Sequence, residues 1–259
     1  MLEYVDLAAA KEATGTRIVV AGAVPSPWSQ ATKGMFRIAK LPAVVVRKMP
    51  GDREPAAWTG VDNVPVVLHG KEPARTSAVA IVALVARLAP DAGLVPHDPG
   101  ERADVMGLVE LFAGEDGLGW NGRLAMIHAG IVSDGARGFG QPVAGYLAKR
   151  YGYDPAERSD VAARNHVRAR VAAQLAHLEA RLAGRDYFGG ERPNAVDIYA
   201  ATFLTPLFAL GEADCPRILP MVRQGFAAAA EEFGALVPAA LAALRARMFE
   251  RHLAWPIEL

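Results

Sequence analysis

The chain has 259 residues, 52% of them hydrophobic, and a formal net charge of zero. That size suits one large or two small globular domains. The balanced charge gives no reason to expect nucleic acid or an anionic membrane as partner. No stretch approaches the ~20 apolar residues that span a bilayer, and the acidic start Met1-Leu2-Glu3-Tyr4-Val5-Asp6 does not read as a secretory signal. Cys215 is the only cysteine, so an intrachain disulfide is excluded, which fits a reducing, cytoplasmic setting.

In chain order, residues 1–15 read as an N-terminal extension with one or two helical turns. From Thr16 the pattern becomes strand (Arg17–Ala23), helix (Pro27–Lys40), strand (Ala43–Arg47), then a loop of turn formers from Pro50 to Pro55. A strand over Pro65–Leu68 and a turn at His69-Gly70-Lys71 follow. A helix over Thr76–Leu88 comes next, with Val79, Val82, Val85 and Leu88 at helical spacing. Strands alternating with helices predict an α/β layer over residues 16–90. Three prolines and two glycines between Ala89 and Gly100 read as a linker, taken as residues 91–100. Beyond it, residues 101–259 read as all-helical: Glu101–Ala113, Trp120–Val132, Pro142–Arg150, Asp160–Ala183, Val196–Leu210, Pro220–Phe233 and Pro238–His252. The fourth carries an apolar stripe of Val167, Val171, Leu175, Leu178 and Leu182.

Chemistry concentrates between the first strand and helix, at Ser26-Pro27-Trp28-Ser29. Proline suits the first helical position, which puts Ser26 at the N-cap over the positive end of the helix dipole. A hydroxyl there either caps the helix or holds an anion; Ser29, one turn in, is the rival donor. Neither cysteine nor tyrosine lies between Gly22 and Ser29. Gly117-Leu118-Gly119-Trp120-Asn121-Gly122 spells G-x-G-x-x-G, but a helical segment precedes it and Glu115 and Asp116 would repel a pyrophosphate, so a helix break is the better reading. Trp28, Trp120, Met126 and His128 are either core or the wall of an apolar pocket. The histidines show no ligand spacing, so no metal is expected, and no G-x-S-x-G nucleophile turn occurs.

Three short motifs in order, Ser26-Pro27, Val64-Pro65 and Thr76-Ser77, together with the later Tyr187-Phe188-Gly189-Gly190-Glu191-Arg192-Pro193-Asn194-Ala195-Val196-Asp197, resemble the cytosolic glutathione transferases. The resemblance implies a thioredoxin-like first domain that binds glutathione and an all-helical second domain. It implies a cis peptide before Pro65, with the Val64 backbone facing the bound tripeptide. Thr76-Ser77, with Lys71, would grip the glutathione carboxylates. The acidic residue that the family places before the serine is here Thr76, which weakens the grip on the γ-glutamyl amine. In the second domain Asn194 and Asp197 form a capping box. The function implied is a serine-type transferase in the cytoplasm. Ser26 or Ser29 activates the thiolate of glutathione, a small apolar electrophile sits against Trp28, Trp120 and Met126, and two copies form a homodimer. The alternatives are a non-catalytic binding or scaffold protein of the same fold, or a glutathione-dependent isomerase or lyase.

Overall fold

The computed structural model describes residues 1–154 and 161–259. Four strands form one mixed sheet in the order β1-β3-β2-β4: β1 (Leu2–Tyr4), β2 (Thr16–Ala21), β3 (Ala43–Lys48) and β4 (Val66–His69). β3 runs parallel to both β1 and β2, and β4 is antiparallel to β2. Period-two alternation sorts the strand residues. Ile18, Val20, Val45 and Val67 enter the main core with α2 (Pro27–Ile38) and α4 (Ala78–Leu88). Val19, Val46 and Val66 face a smaller cluster closed by Ala10 of α1 (Leu7–Glu12) and Trp58 of α3 (Glu54–Thr59). Both faces are covered, as expected of a thioredoxin-like layer.

Two features of this layer differ from the sequence reading. Residues 1–15 are not a separate extension, because β1 joins the sheet as its edge strand beside β3. The turn-rich loop after β3 gives way to α3, where Pro55 sits in the first turn and Gly60, at φ 73°, ends the helix.

The remainder is helical: α5 (Pro99–Ala113), α6 (Leu118–Val132), α7 (Gln141–Arg150), α8 (Val161–Leu182), α9 (Ala195–Leu204), α10 (Pro220–Phe233) and α11 (Ala239–Arg251). The expected start of α8 at Asp160 lies outside the described residues. Its stripe is buried as patterned: Val171, Leu175, Leu178 and Leu182 are at most 1% exposed. α9 stops at Leu204, six residues short of the expected end, because Thr205 precedes Pro206 and the chain tightens into a 3₁₀ turn. The linker is packed down, with Leu94 buried and its carbonyl accepting the Ala195 N–H at 2.9 Å.

α9 is the hinge pin of the molecule: all ten of its residues are buried, and it packs on α2, α5 and α11. Gly34 of α2 permits that approach, since a methyl group there would come within 2.9 Å of Ile198. The capping box forms. Asn194 accepts the Val196 N–H at 2.8 Å, and Asp197 accepts the Asn194 N–H at 2.8 Å. Asp197 also accepts from Phe188 (2.7 Å) and Gly189 (3.2 Å), which ties the preceding loop to the helix start. The tail returns to the first domain, where the Glu258 carbonyl takes hydrogen bonds from Gln30 (2.8 Å) and Lys33 (2.6 Å) of α2.

Candidate functional site

Strand register brings three of the sequence motifs to one end of the sheet. The β2–β4 pairing ends with Val19 opposite Val66, so β2 leaves the sheet through Ala21 at the end where Val64 and Pro65 lead into β4. An isolated bridge between Val67 and Arg75 holds the chain beside β4 two residues before Ser77. The turn carrying Ser26, the Val64–Pro65 bond and the start of α4 therefore stand side by side. The Val64–Pro65 bond is cis. Val64 forms no backbone hydrogen bond to the described residues, so its N–H and C=O are open to a ligand.

Ser26 occupies the N-cap of α2, with φ −57° and ψ 122°, but its hydroxyl makes no capping hydrogen bond. Pro27 has no N–H to offer, and the Trp28 and Ser29 N–H groups find no partner among the described residues. The positive end of α2 thus presents two open N–H donors and a free hydroxyl, an arrangement suited to an anion. Ser29 is placed differently. It is 1% exposed, and its oxygen accepts the Ala21 N–H at 3.1 Å, fastening the end of β2 to the helix. At α4 the hydroxyl of Ser77 does cap, accepting the Ala80 N–H at 3.2 Å, and Thr76 is exposed beside it. Glu72 is held by Arg75 (2.9 Å) and Arg87 (2.6 Å), whose guanidinium groups keep its carboxyl below the usual range.

Lys71 lies away from this group. It follows β4 on the hairpin tip, where Gly70 donates to the Gly15 carbonyl, so β4 points it to the opposite end of the sheet from Val64. At ~3.3 Å per strand residue that separation is roughly 20 Å, which removes Lys71 from the ligand grip.

An aromatic group stands where α2 meets the helical domain. The Trp28 indole N–H donates to the Ala113 carbonyl at 2.8 Å, and its ring meets Phe203 edge-on at 4.8 Å. Gly119 makes room for this packing, because a methyl group there would stand 2.5 Å from Phe203 and 3.0 Å from Trp28. The G-x-G-x-x-G stretch follows helix α5 and opens α6, so it is a packing device and not a dinucleotide loop. The Trp120 ring lies 4.6 Å from that of Tyr151, the residue that caps α7, tilted by 56°. Arg123 lies between the walls, 5.1 Å from the Trp28 ring and 5.9 Å from Tyr151. Arg150 reaches Asp62 at 3.6 Å, which hangs the end of α7 over the loop leading to Val64.

Met126 is not part of this wall. It is buried and faces α10, where a methyl group on Gly225 would come within 2.9 Å of its terminal carbon. His128 is an anchor, its Nδ1 hydrogen-bonded to the Tyr153 hydroxyl at 2.5 Å. Sequence reasoning missed Arg123 and Tyr151. The spacing of three between Trp120 and Arg123 was the available signal for the first, while nothing local marked the second. Among the described residues no group of three or more His, Cys, Asp or Glu side chains could hold a metal ion, and no helix is long and apolar enough to cross a membrane.

Comparison with known proteins agrees with this architecture. The family model of the glutathione S-transferase C-terminal domain matches residues 161–220. A search among curated proteins finds no significant match. Among solved structures, a glutathione transferase from Pseudomonas putida, with one glutathione disulfide bound per subunit, superposes with a TM-score of 0.61 at 15% identity, covering 95% of each chain. A glutathione transferase family member from Pseudomonas fluorescens Pf-5, with two glutathione bound, gives 0.58 at 14% identity over 92% of this chain and 89% of that one. A glutathione S-transferase from Methylobacillus flagellatus KT, with GSH bound, gives 0.57 at 16% identity over 91% and 95%. The fold is that of the glutathione transferases: a thioredoxin-like domain followed by a helical one.

Proposed function

We propose that this chain, glutathione-transferase-like in fold, binds glutathione along the Ser26–Val64–Ser77 end of its sheet and transfers its sulfur to a small apolar electrophile. The observation that carries the reading is the uncapped Ser26 hydroxyl at an open helix N-terminus, in line with the free backbone of Val64 and the start of α4. Two inter-strand spacings make that line ~10 Å wide. An extended tripeptide spans about the same length. Its cysteinyl backbone would pair with Val64 as an added strand, its γ-glutamyl carboxylate would meet the start of α4, and its sulfur would reach Ser26.

A thiol with a pKa of ~8.5 is only a few per cent ionised at pH 7. A hydrogen bond to a charged group contributes ~1.5–3 kcal/mol, or about 1–2 pKa units at ~1.36 kcal/mol each. The helix end adds ~0.3–1 kcal/mol. The thiol releases its proton to solvent, and Ser26 keeps its own proton throughout while donating a hydrogen bond to the sulfur. The thiolate forms the C–S bond while the leaving group departs with its electron pair, and proximity supplies the rest of the rate. The same pocket would serve a glutathione-dependent isomerisation or lyase step. The cytoplasm is the compartment this reading requires, because glutathione keeps thiols reduced there. The homodimer is part of the proposal.

One observation favours a second reading, a binding or scaffold protein: Thr76 carries no charge, and the acid Glu72 nearby in sequence is occupied by two arginines. Calorimetric titration with glutathione, followed by a conjugation assay with chlorodinitrobenzene, separates the two. Binding with turnover that Ser26→Ala abolishes supports the transferase. No binding at millimolar glutathione supports the scaffold.

A further inference from the structure

Arg123 differs from several arginines of the second domain in having no acidic partner among the described residues. Arg137 is paired with Glu231, Arg150 with Asp62 and Arg170 with Asp116. Arg123 is half-buried and, among the described residues, has neither a carboxylate nor a carbonyl partner; its guanidinium contacts only the rings of Trp28 and Tyr151. Aromatic faces attract a cation, but they accept few of its five N–H hydrogens. Drawing a guanidinium partly out of water favours an acceptor that takes those hydrogens. Its planar fork matches a carboxylate through two parallel hydrogen bonds. Around it the rings of Trp28, Trp120 and Tyr151 offer flat apolar surface. Trp28 lies two residues beyond Ser26 in the first turn of α2, which ties this ring to the helix that carries the proposed sulfur site.

We propose that Arg123 sets the substrate class of this site: the electrophile is an aromatic or similarly flat molecule that carries a carboxylate, bound by Arg123 with its ring against Trp28, Trp120 and Tyr151. The inference rests on the transferase reading for the word electrophile, but its test does not need turnover. Dinitrobenzoate and dinitrobenzene, neither with a leaving group, are titrated against the protein without glutathione, and quenching of tryptophan fluorescence reports binding. The wild-type protein should bind the carboxylate probe ~10- to 100-fold more tightly than the neutral one. Arg123→Gln should erase that preference, and Arg123→Lys should restore part of it, an outcome that a merely structural role would not give. Equal affinity for the two probes in the wild type, or an undiminished preference in Arg123→Gln, overturns the inference. So does a change in glutathione affinity alone on substitution, which would assign Arg123 to the tripeptide. Turnover is then measured with chlorodinitrobenzoate and chlorodinitrobenzene, each divided by its uncatalysed rate. Absence of both reactions in the wild-type protein, with the fluorescence preference intact, would refute the transferase reading and leave the carboxylate site standing.

Discussion

Replacing Asp197 by alanine should destabilise the protein more than a surface change at any loop. The carboxylate is 0% exposed and accepts three backbone N–H groups, from Phe188, Gly189 and Asn194. Truncation strands all three. An unsatisfied buried donor costs ~1–3 kcal/mol. The hydrogen bonds from Phe188 and Asn194 are buried, while that from Gly189 is only partly so. With the capping box lost as well, the sum is about 3–5 kcal/mol. In a chain of this size each kcal/mol moves Tm by ~2–4 °C, so the variant should melt roughly 10 °C lower. Thermal unfolding followed by circular dichroism at pH 7 measures this, and a shift under ~2 °C would refute the view of Asp197 as the tie between loop and helix. The pH dependence has a definite sign. Burial is the largest influence on this carboxyl and raises its pKa to about 6. Between the unfolded value near 4 and about 6, the folded state holds a proton that the unfolded chain has released, so stability falls as pH rises through that window. Wild-type protein should therefore lose part of its advantage over Asp197→Asn between pH ~4 and ~7, and a widening gap would contradict the assignment.

Lys33 is 5% exposed, donates to Glu258 and Tyr4, and is pushed down to about 8 by burial. Above about pH 8 the unfolded chain holds a proton that the folded state lacks, so this group makes the protein more stable as pH rises towards 10.5; urea unfolding should show a smaller rise with pH in Lys33→Met. Ser77→Ala removes the cap of α4 and should cost ~1 kcal/mol by the same assay, with weaker glutathione binding in the calorimeter. Gly119→Ala drives a methyl group into Phe203 and Trp28. It should destabilise by ~1–3 kcal/mol and alter the fluorescence of Trp28.

Much of this was legible because local and global signals coincide. The apolar run before Ser26, the proline after it and the spaced leucines of α8 each state one period and one boundary. The strand β1 did not show itself, because the three residues Leu2-Glu3-Tyr4 are too few to display alternation; only the edge of β3 makes them a strand. The helix α3 hid inside turn formers, since Pro55 signals a turn and a first helical residue equally well. At the candidate site, the positions of Ser26, Val64 and Ser77 in the fold could be read from flanking residues, because each sits at an element boundary. Lys71 misled for the opposite reason: it is close to Ser77 in sequence, but the hairpin return puts it at the far end of the sheet. Arg123, Tyr151 and the outward-or-inward choice for Met126 depend on how α6 is rotated against α2, α7 and α10, and single-chain periodicity does not encode that rotation.

The most direct test of the account is the ionisation of bound glutathione, followed by the ultraviolet absorbance of its thiolate as pH is varied. Wild-type protein should hold the thiol ~1–2 pKa units below its free value of ~8.5, and Ser26→Ala should return it most of the way. Bound glutathione that titrates at its free value, or at the same lowered value in Ser26→Ala, would contradict the claim that this hydroxyl stabilises the sulfur.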